Sequence, residues 1–244
     1  MEKLTVENVS YTYQGKYQKV QALKNVSCTF EKQKFYAIVG HSGSGKTTLL
    51  SMLAGLGIPT EGTVYVDGKD LKEAGTERHR RENVSVIYQA FNLFPALTVL
   101  ENVMYPMQIV HKQKKDAAKR AKVLLDSVRI NETQYKKFPA MLSGGEQQRV
   151  AIARALASNA KVILADEPTG NLDTENGRIV IDILKQLVCE ESYCVIVVTH
   201  DLGIAAQADI VYRMTDGKLK MEELSKFVSA LHPQTCNAQK AAQK

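Results

Sequence analysis

The hydrophobic positions of this chain change their spacing several times, and each change marks a structural boundary. From Leu4 to Tyr13 and from Ala22 to Phe30, apolar and polar side chains partly alternate, as in strands with one buried face, and Gln14-Gly15-Lys16 is the turn after the first. This pair predicts an antiparallel layer. Phe35-Tyr36-Ala37-Ile38-Val39 is continuously apolar, the pattern of a strand covered on both faces, and the helix formers Thr48 to Ala54 follow shortly after. Thr63 to Val66 adds a strand ending in an Asp67-Gly68 turn, and the strand-like run from Asn83 stops at Gln89.

From Ala90 to about Asn159 the strand signals vanish. Thr98, with Glu101 three residues on, predicts an N-cap and a helix that Pro106 kinks or ends. Ala117, Ala121, Leu124, Leu125 and Val128 then recur at helical spacing, with lysines on the opposite face. Strand and helix alternate again through Val162 to Asp166, a helix bearing Ile179, Ile183, Leu184, Leu187 and Val188, and Cys194 to Thr199. Ile210 to Met214 and Lys218 to Lys220 flank Thr215-Asp216-Gly217 as a closing hairpin. The expectation is an α/β fold: a core over 1–89 and 160–221 with an antiparallel β layer, and an inserted helical subdomain over about 90–159. Together they form one domain within 1–233, and the polar stretch 234–244 reads as a flexible tail.

Between the apolar strand and its helix stands Gly40-His41-Ser42-Gly43-Ser44-Gly45-Lys46-Thr47-Thr48, which fits G-x-x-x-x-G-K-[ST] in the strand–loop–helix context that the pattern requires. Glycines let backbone N–H groups close around phosphate oxygens at a helix N-terminus. Lys46 adds a mobile charge for the β- and γ-phosphates, and the Thr47 hydroxyl is placed to ligate Mg²⁺. Alone, the string would also serve as a Gly/Ser turn before a helix. Asp166-Glu167 closes the apolar run from Val162, so both carboxylates emerge where a parallel strand ends. Asp166 can hold Mg²⁺ there and Glu167 can polarise an attacking water, although such a pair also serves as a helix N-cap. Leu142-Ser143-Gly144-Gly145-Glu146-Gln147-Gln148-Arg149 precedes a helical run and makes a second helix N-terminus with free N–H groups.

The phosphate loop, Leu142 to Gln148 and Leu164-Ala165-Asp166-Glu167-Pro168, in this order, resemble the ATP-binding-cassette (ABC) ATPases, and the likeness covers about Leu4 to Met221. It implies a P-loop NTPase (RecA-like) core that binds and hydrolyses ATP with Mg²⁺. It also implies roles for matching positions: Tyr13 stacks on adenine, Gln89 touches Mg²⁺ and the attacking water, and His200 contacts the γ-phosphate. In the same way, Asn171-Leu172-Asp173 meets the opposite subunit. His41 stands where many relatives have proline, and Ala90 where bulkier polar residues are common. In such ATPases Ser143, Gly144, Gly145 and Glu146 of one cassette close over ATP held by Lys46 of another. The resemblance therefore implies a second ABC ATPase subunit, itself or a paralogue, and a transmembrane permease subunit whose helix docks beside Phe91, Leu93, Phe94 and Leu97. The wording of Tyr88 to Leu93 and of Leu142 to Arg149 is most similar to the macrolide-export and lipoprotein-release branch. A soluble ABC ATPase acting on DNA or ribosomes is the alternative, which would usually carry a coiled-coil insertion or two cassettes.

Composition then narrows the setting. At 44% hydrophobic and 24% charged the chain reads as globular. Its longest apolar runs are about five residues, against the ~20 that span a bilayer. The N-terminus begins at once with strand-like alternation and shows no signal segment, so the expectation is a cytoplasmic chain, peripheral on the inner face of the membrane through its permease. Cys28, Cys189, Cys194 and Cys236 are scattered and suggest no metal site. Much of the net charge of +6 lies in Lys112, Lys114, Lys115, Lys119, Arg120 and Lys122, a solvated helix face or a contact with lipid or nucleic acid. No nucleic-acid partner is expected.

Overall fold

A computed structural model describes residues 2–15, 18–110, 113–158 and 160–227. The expectations for the tail, Cys236, Lys16, His111 and Lys112 lie outside these described residues. In chain order the elements are β1 (Lys3–Gln14), β2 (Lys19–Glu31), β3 (Phe35–Val39), α1 (Lys46–Leu53), β4 (Glu61–Val66), β5 (Lys69–Asp70), α2 (Leu71–Ala74), α3 (Thr76–Glu82) and β6 (Val84–Tyr88). There follow α4 (Val99–Ile109), α5 (Lys114–Ser127), α6 (Gly144–Leu156), β7 (Val162–Asp166), α7 (Thr174–Glu191), β8 (Cys194–Thr199), α8 (Leu202–Ala205), β9 (Ile210–Thr215) and β10 (Lys218–Glu222).

The strands form two sheets, one antiparallel in the order β2-β1-β4-β5 and one of six strands in the order β10-β9-β3-β8-β7-β6. In the second, β9, β3, β8, β7 and β6 are parallel and β10 closes the edge antiparallel to β9. Alternate residues of its central strands enter different cores, which is why these strands read as unbroken apolar runs. Phe35, Ala37 and Val39 join a core with α4 to α7, while Tyr36 and Ile38 join a second core with α1 and the antiparallel layer. The predicted alternation of β1 and β2 has the same origin, since Leu4, Val6, Val26 and Phe30 face that second core.

Register places the chemistry. Val39 pairs with Thr199, Val198 with Asp166, and Asp166 with Tyr88, so β3, β8, β7 and β6 end side by side. Their next residues, Gly40, His200, Glu167 and Gln89, therefore leave the sheet along one edge.

Helices α4 and α5 follow their sequence signals, except that α4 does not end at its proline. Thr98 and Glu101 cap α4 reciprocally, the Glu101 N–H donating to Thr98 Oγ1 at 3.3 Å and the Thr98 N–H to Glu101 Oε2 at 2.9 Å. Pro106 does not end this helix, which continues to Ile109. Met104 and Met107 are buried on either side of the proline, and their packing holds the last turn. In α5, Ala117, Ala121, Leu124 and Leu125 are buried, as is Val128 just after it. The turns Asp67-Gly68 and Asp216-Gly217 both have positive φ at each residue, as two-residue hairpins need. Among the described residues no helix is long and apolar enough to cross a membrane.

Candidate active site

The loop after β3 is shaped by its neighbours. Gly45 takes φ 108° as the residue before α1, and a Cβ there would stand 2.5 Å from the Ala22 carbonyl oxygen of β2. Both facts require glycine. The Gly217 N–H donates to the Ser44 carbonyl at 2.9 Å, which fastens the loop to the β9–β10 turn. Helix α1 has no side-chain cap, so its first-turn N–H groups are presented by backbone geometry alone. Lys46 arches back over the loop, and its Nζ donates to the carbonyls of Gly40 at 2.8 Å and His41 at 3.0 Å.

A cavity of about 880 Å³ opens in front of this loop. Ser42, Gly43, Gly45, Lys46, Thr47 and Thr48 line it with Tyr13, Gln89, Asp166, Glu167 and His200, so elements separated by more than a hundred residues converge on one space. Tyr13 is half exposed, and its hydroxyl lies 3.2 Å from Thr48 Oγ1. Its ring thus stands as a wall over the start of α1. His41 is exposed and does not line the cavity, with Nδ1 donating to the Ser42 carbonyl at 2.8 Å and Nε2 3.6 Å from Asp216 Oδ1. Ser44, by contrast, is buried behind the loop, and its hydroxyl faces no partner.

The acidic end of β7 is finely divided. Burial pushes the Asp166 carboxyl above its ordinary range, against the Thr47 hydroxyl that donates to Oδ1 at 3.3 Å and the nearby Lys46 charge. Glu167 turns out of the strand with φ 48°, its N–H held by the Val198 carbonyl at 2.9 Å, and its Oε2 lies 2.8 Å from His200 Nδ1. Gln89 is turned toward the loop after β7: its Nε2 donates to Asn171 Oδ1 at 3.2 Å, and Asn171 Nδ2 donates to the Gln89 carbonyl at 3.0 Å. Among the described residues no cluster of three or more His, Cys, Asp and Glu could hold a metal ion. The available donors are the Thr47 hydroxyl, the Asp166 carboxylate and the Gln89 amide oxygen, a hard-oxygen set that fits Mg²⁺ sharing its remaining ligands with phosphate and water.

Ser143, Gly144, Gly145, Glu146 and Asp173 do not line this cavity. Ser143 caps α6, its Oγ accepting from the Glu146 N–H at 3.3 Å, while Glu146 Oε2 accepts from the Ser143 N–H at 2.7 Å. The Glu146 carboxylate also accepts from Gln134 Nε2, so it is placed to fix the turn and does not point to a ligand. A Cβ on Gly145 would lie 2.1 Å from Asn176 Oδ1, which leaves only glycine room there. Asp173 caps α7, and the backbone and side-chain N–H groups of Asn176 hold its carboxyl below the ordinary range. Asn176 carries no sequence signal, yet it joins Asp173 to Arg149 of α6, whose Nη1 donates to its Oδ1 at 3.1 Å. Gln21, Lys24 and Asp216 also line the cavity. No sequence signal marked them, because only the packing of β2 and the β9–β10 turn against the loop brings them there.

A glycine-rich strand–loop–helix grip beside an acidic strand end defines a nucleotide-binding α/β ATPase. Comparison with known proteins makes the class specific. The family described as ABC transporter matches residues 23–170. The chain is 41% identical over 223 residues to the ABC transporter ATP-binding protein YclH of Bacillus subtilis, covering 91% of this chain and 98% of that protein. It is 43% identical over 218 residues to the lipoprotein-releasing system ATP-binding protein LolD of Saccharophagus degradans, covering 88% and 95%. Among solved structures it is similar to the dimeric ABC transporter cassette MJ0796, with a TM-score of 0.84 and 38% identity over 91% of this chain and 98% of that one. The same cassette is also known in a post-hydrolysis state bound to ADP and Pi. The chain belongs to the ABC transporter ATP-binding family and is an ATP-binding, ATP-hydrolysing motor cassette.

Proposed function

We propose that this chain works as an ATP-bridged, head-to-tail pair of cassettes that drives a separate membrane permease from the inner face of the membrane, in an exporting or cell-envelope role. One observation carries the pairing. The cavity gathers Lys46, Thr47, Asp166, Glu167 and His200 and omits Ser143, Gly144 and Gly145 of the same chain. A second cassette would supply that turn. The dimeric form of MJ0796 supports the pairing, and the lipoprotein-releasing role in the name of LolD supports the branch. In this reading one ABC ATPase domain spans 1–233, and its helical part, about 90–159, carries the grip for the partner's nucleotide.

The geometry supports a role for each residue. Tyr13 offers its ring to adenine, and Lys46 leaves its two carbonyl partners for the β- and γ-phosphates. Thr47, Asp166 and Gln89 would hold Mg²⁺, which supplies charge neutralisation at the transferred phosphoryl group. Glu167 accepts a hydrogen bond from a water in line with the γ-phosphorus, and His200 beside it faces the same phosphate. When the γ-phosphate leaves, the charge shared by the two grips is gone and the pair parts.

The Glu167→Gln variant tests this reading. Expected is normal ATP affinity, a turnover lower by about 100-fold or more, and an ATP-dependent dimer on size-exclusion chromatography. Hydrolysis at the normal rate would remove Glu167 from its role, and a chain that stays monomeric with bound ATP would remove the pairing. Co-purification with an integral membrane protein checks the permease, whereas stable nucleic-acid or ribosome binding without one would reverse the assignment.

A further inference from the structure

Just beyond Gln89 the backbone takes a shape that Phe91 does not favour and that Asn92 tolerates at some cost. Phe91 has φ 59° and Asn92 φ 51°, two successive non-glycine residues in the left-handed region, where Cβ crowds the backbone. The Asn92 N–H is held by the Ala90 carbonyl at 2.6 Å. This conformation turns both the Phe91 and the Asn92 carbonyls toward one side chain, Arg154 of α6. Its Nη2 donates to the Phe91 oxygen at 3.1 Å and its Nη1 to the Asn92 oxygen at 2.6 Å.

Arg154 makes no ion pair with any carboxylate among the described residues. Its guanidinium lies 5.6 Å from the centre of the Phe94 ring, which packs against Tyr105 at 4.7 Å. The next stretch is fixed as firmly: buried Asn102 accepts from the Phe94 N–H at 2.8 Å and donates to the Phe94 carbonyl at 3.1 Å. Arginine places two donors at a fixed spacing in one plane, whereas a lysine ammonium can reach two carbonyls, as Lys46 does, without fixing their spacing. The same helix α6 begins at Ser143, the turn that the proposed function gives to the partner's nucleotide.

We propose that Arg154 is a positioning residue for hydrolysis: its fork holds Phe91 and Asn92 in their left-handed bend, sets Gln89 at the cavity edge, and makes the bend move with α6. Displacement of α6 toward a second cassette is thereby passed to Gln89, and so is pressure on Phe94 and Tyr105. This inference rests on the role given to Gln89 in the proposed function.

Glycine at position 92 supplies the test, because it adopts positive φ without the crowding that the fork offsets. Asn92 is exposed, and its side chain makes no hydrogen bond among the described residues. ATP hydrolysis by the full chain is compared for wild type, Arg154→Lys, Arg154→Met, Asn92→Gly and each Arg154 variant combined with Asn92→Gly. Expected is a kcat lower by about 10-fold or more in Arg154→Met with KM for ATP within about 2-fold, as misplacement of a reacting-site group produces. Arg154→Lys falls between, Asn92→Gly alone stays near wild type, and the doubles regain at least about half of the lost logarithm of kcat. Losses that simply add would overturn the proposal and leave Arg154 as a packing residue, and so would a rise in KM at constant kcat. Should Arg154→Met fail to fold, the Arg154→Lys pair decides by the same rule. The Glu167→Gln dimer is read separately, so loss of that dimer with the glycine rescue intact sinks the pairing and not the clamp.

Discussion

Helix α1 starts just after Gly45 and α6 starts at Gly144, and both present backbone N–H groups at their first turn, but only one of them is complete in itself. At α6, Ser143 and Glu146 satisfy each other's backbone groups and Gln134 holds Glu146 in place. At α1 no side chain caps the first turn, and the loop is held from behind by Ala22 and Gly217. Under the proposed function, the first turn of α1 would gain its missing partners from an anion, whereas α6 already has its own. On that reading, binding strength belongs to the loop Gly40 to Thr48, while the Ser143 turn contributes shape, fixed in advance, for a nucleotide bound elsewhere.

The hardest test of that contrast is Lys46→Ala. Its Nζ is the mobile charge of the incomplete end, so ATP affinity measured by calorimetry should fall about 10- to 100-fold, the size of a lost charge-assisted contact. If affinity stays within about 3-fold, the backbone alone is the grip and Lys46 has another task. Gly145→Ala probes the complete end. Its methyl group meets Asn176 Oδ1, so the protein should lose about 1–3 kcal/mol of stability in thermal unfolding. ATP affinity of the single cassette should not change. A variant that binds ATP more weakly at unchanged stability would show that the two ends are not separable.

Much of this contrast is legible in the sequence because it is local. The string Gly40 to Thr48, the Ser143/Glu146 spacing and the Thr98/Glu101 cap are all written within a few residues, and so are the two Asp-Gly hairpins. The apolar runs of β3, β7 and β8 are legible for a different reason, since burial on both faces leaves polar side chains no place. What stays hidden depends on distant neighbours. α3 carries Thr76-Glu77-Arg78-His79-Arg80-Arg81-Glu82 with no apolar face, and it forms because His79 and Arg80 reach another element. The bend at Phe91 and Asn92 has no clear sequence signal either, because Phe91 does not favour it and its support comes from Arg154, some sixty positions away. Of the two outcomes expected at Pro106, a kink or an end, the end does not occur for a related reason: local chemistry argues for a break, and buried Met104 and Met107 carry α4 past it.

Asp166 offers a smaller and opposite effect. Burial raises its folded pKa above the ordinary value of 3.8, so the folded state binds the proton more tightly than the unfolded chain does. Stability from this group is therefore greatest below that value and declines as pH rises through the raised pKa, leaving a penalty at neutral pH. Asp166→Asn removes the charge and retains an oxygen for the Thr47 hydroxyl. Without added Mg²⁺ its Tm at pH 7 should be higher by on the order of 1–3 °C, with hydrolysis lost. An unchanged or lower Tm would mean that Lys46 and Thr47 already outweigh the burial.

The mildest expected effect concerns the other end of α1. His79 is buried, and its Nε2–H donates to the Leu53 carbonyl in the last turn of α1 at 2.9 Å, while Nδ1 faces Asn83 Nδ2 at 3.3 Å. Arg80 donates to the Gly55 carbonyl just beyond. An uncapped N-terminus is thus balanced by an anchored C-terminus. Burial holds the His79 imidazole below its ordinary value of 6.5, so it is neutral when folded, and protonation would remove the acceptor that Asn83 uses. With the folded pKa below the unfolded one, stability is full above about 6.5 and is lost as pH falls from there toward the folded pKa. The fall in Tm between pH 7 and pH 5 should accordingly be larger in wild type than in His79→Gln, by on the order of 1–2 °C. Hydrogen exchange at pH 5 should place the loosening at the end of α1 and in α3, and leave α6 unchanged. Equal loosening of α6 would mean that acid acts on the whole cassette, and that the two helices are not held independently.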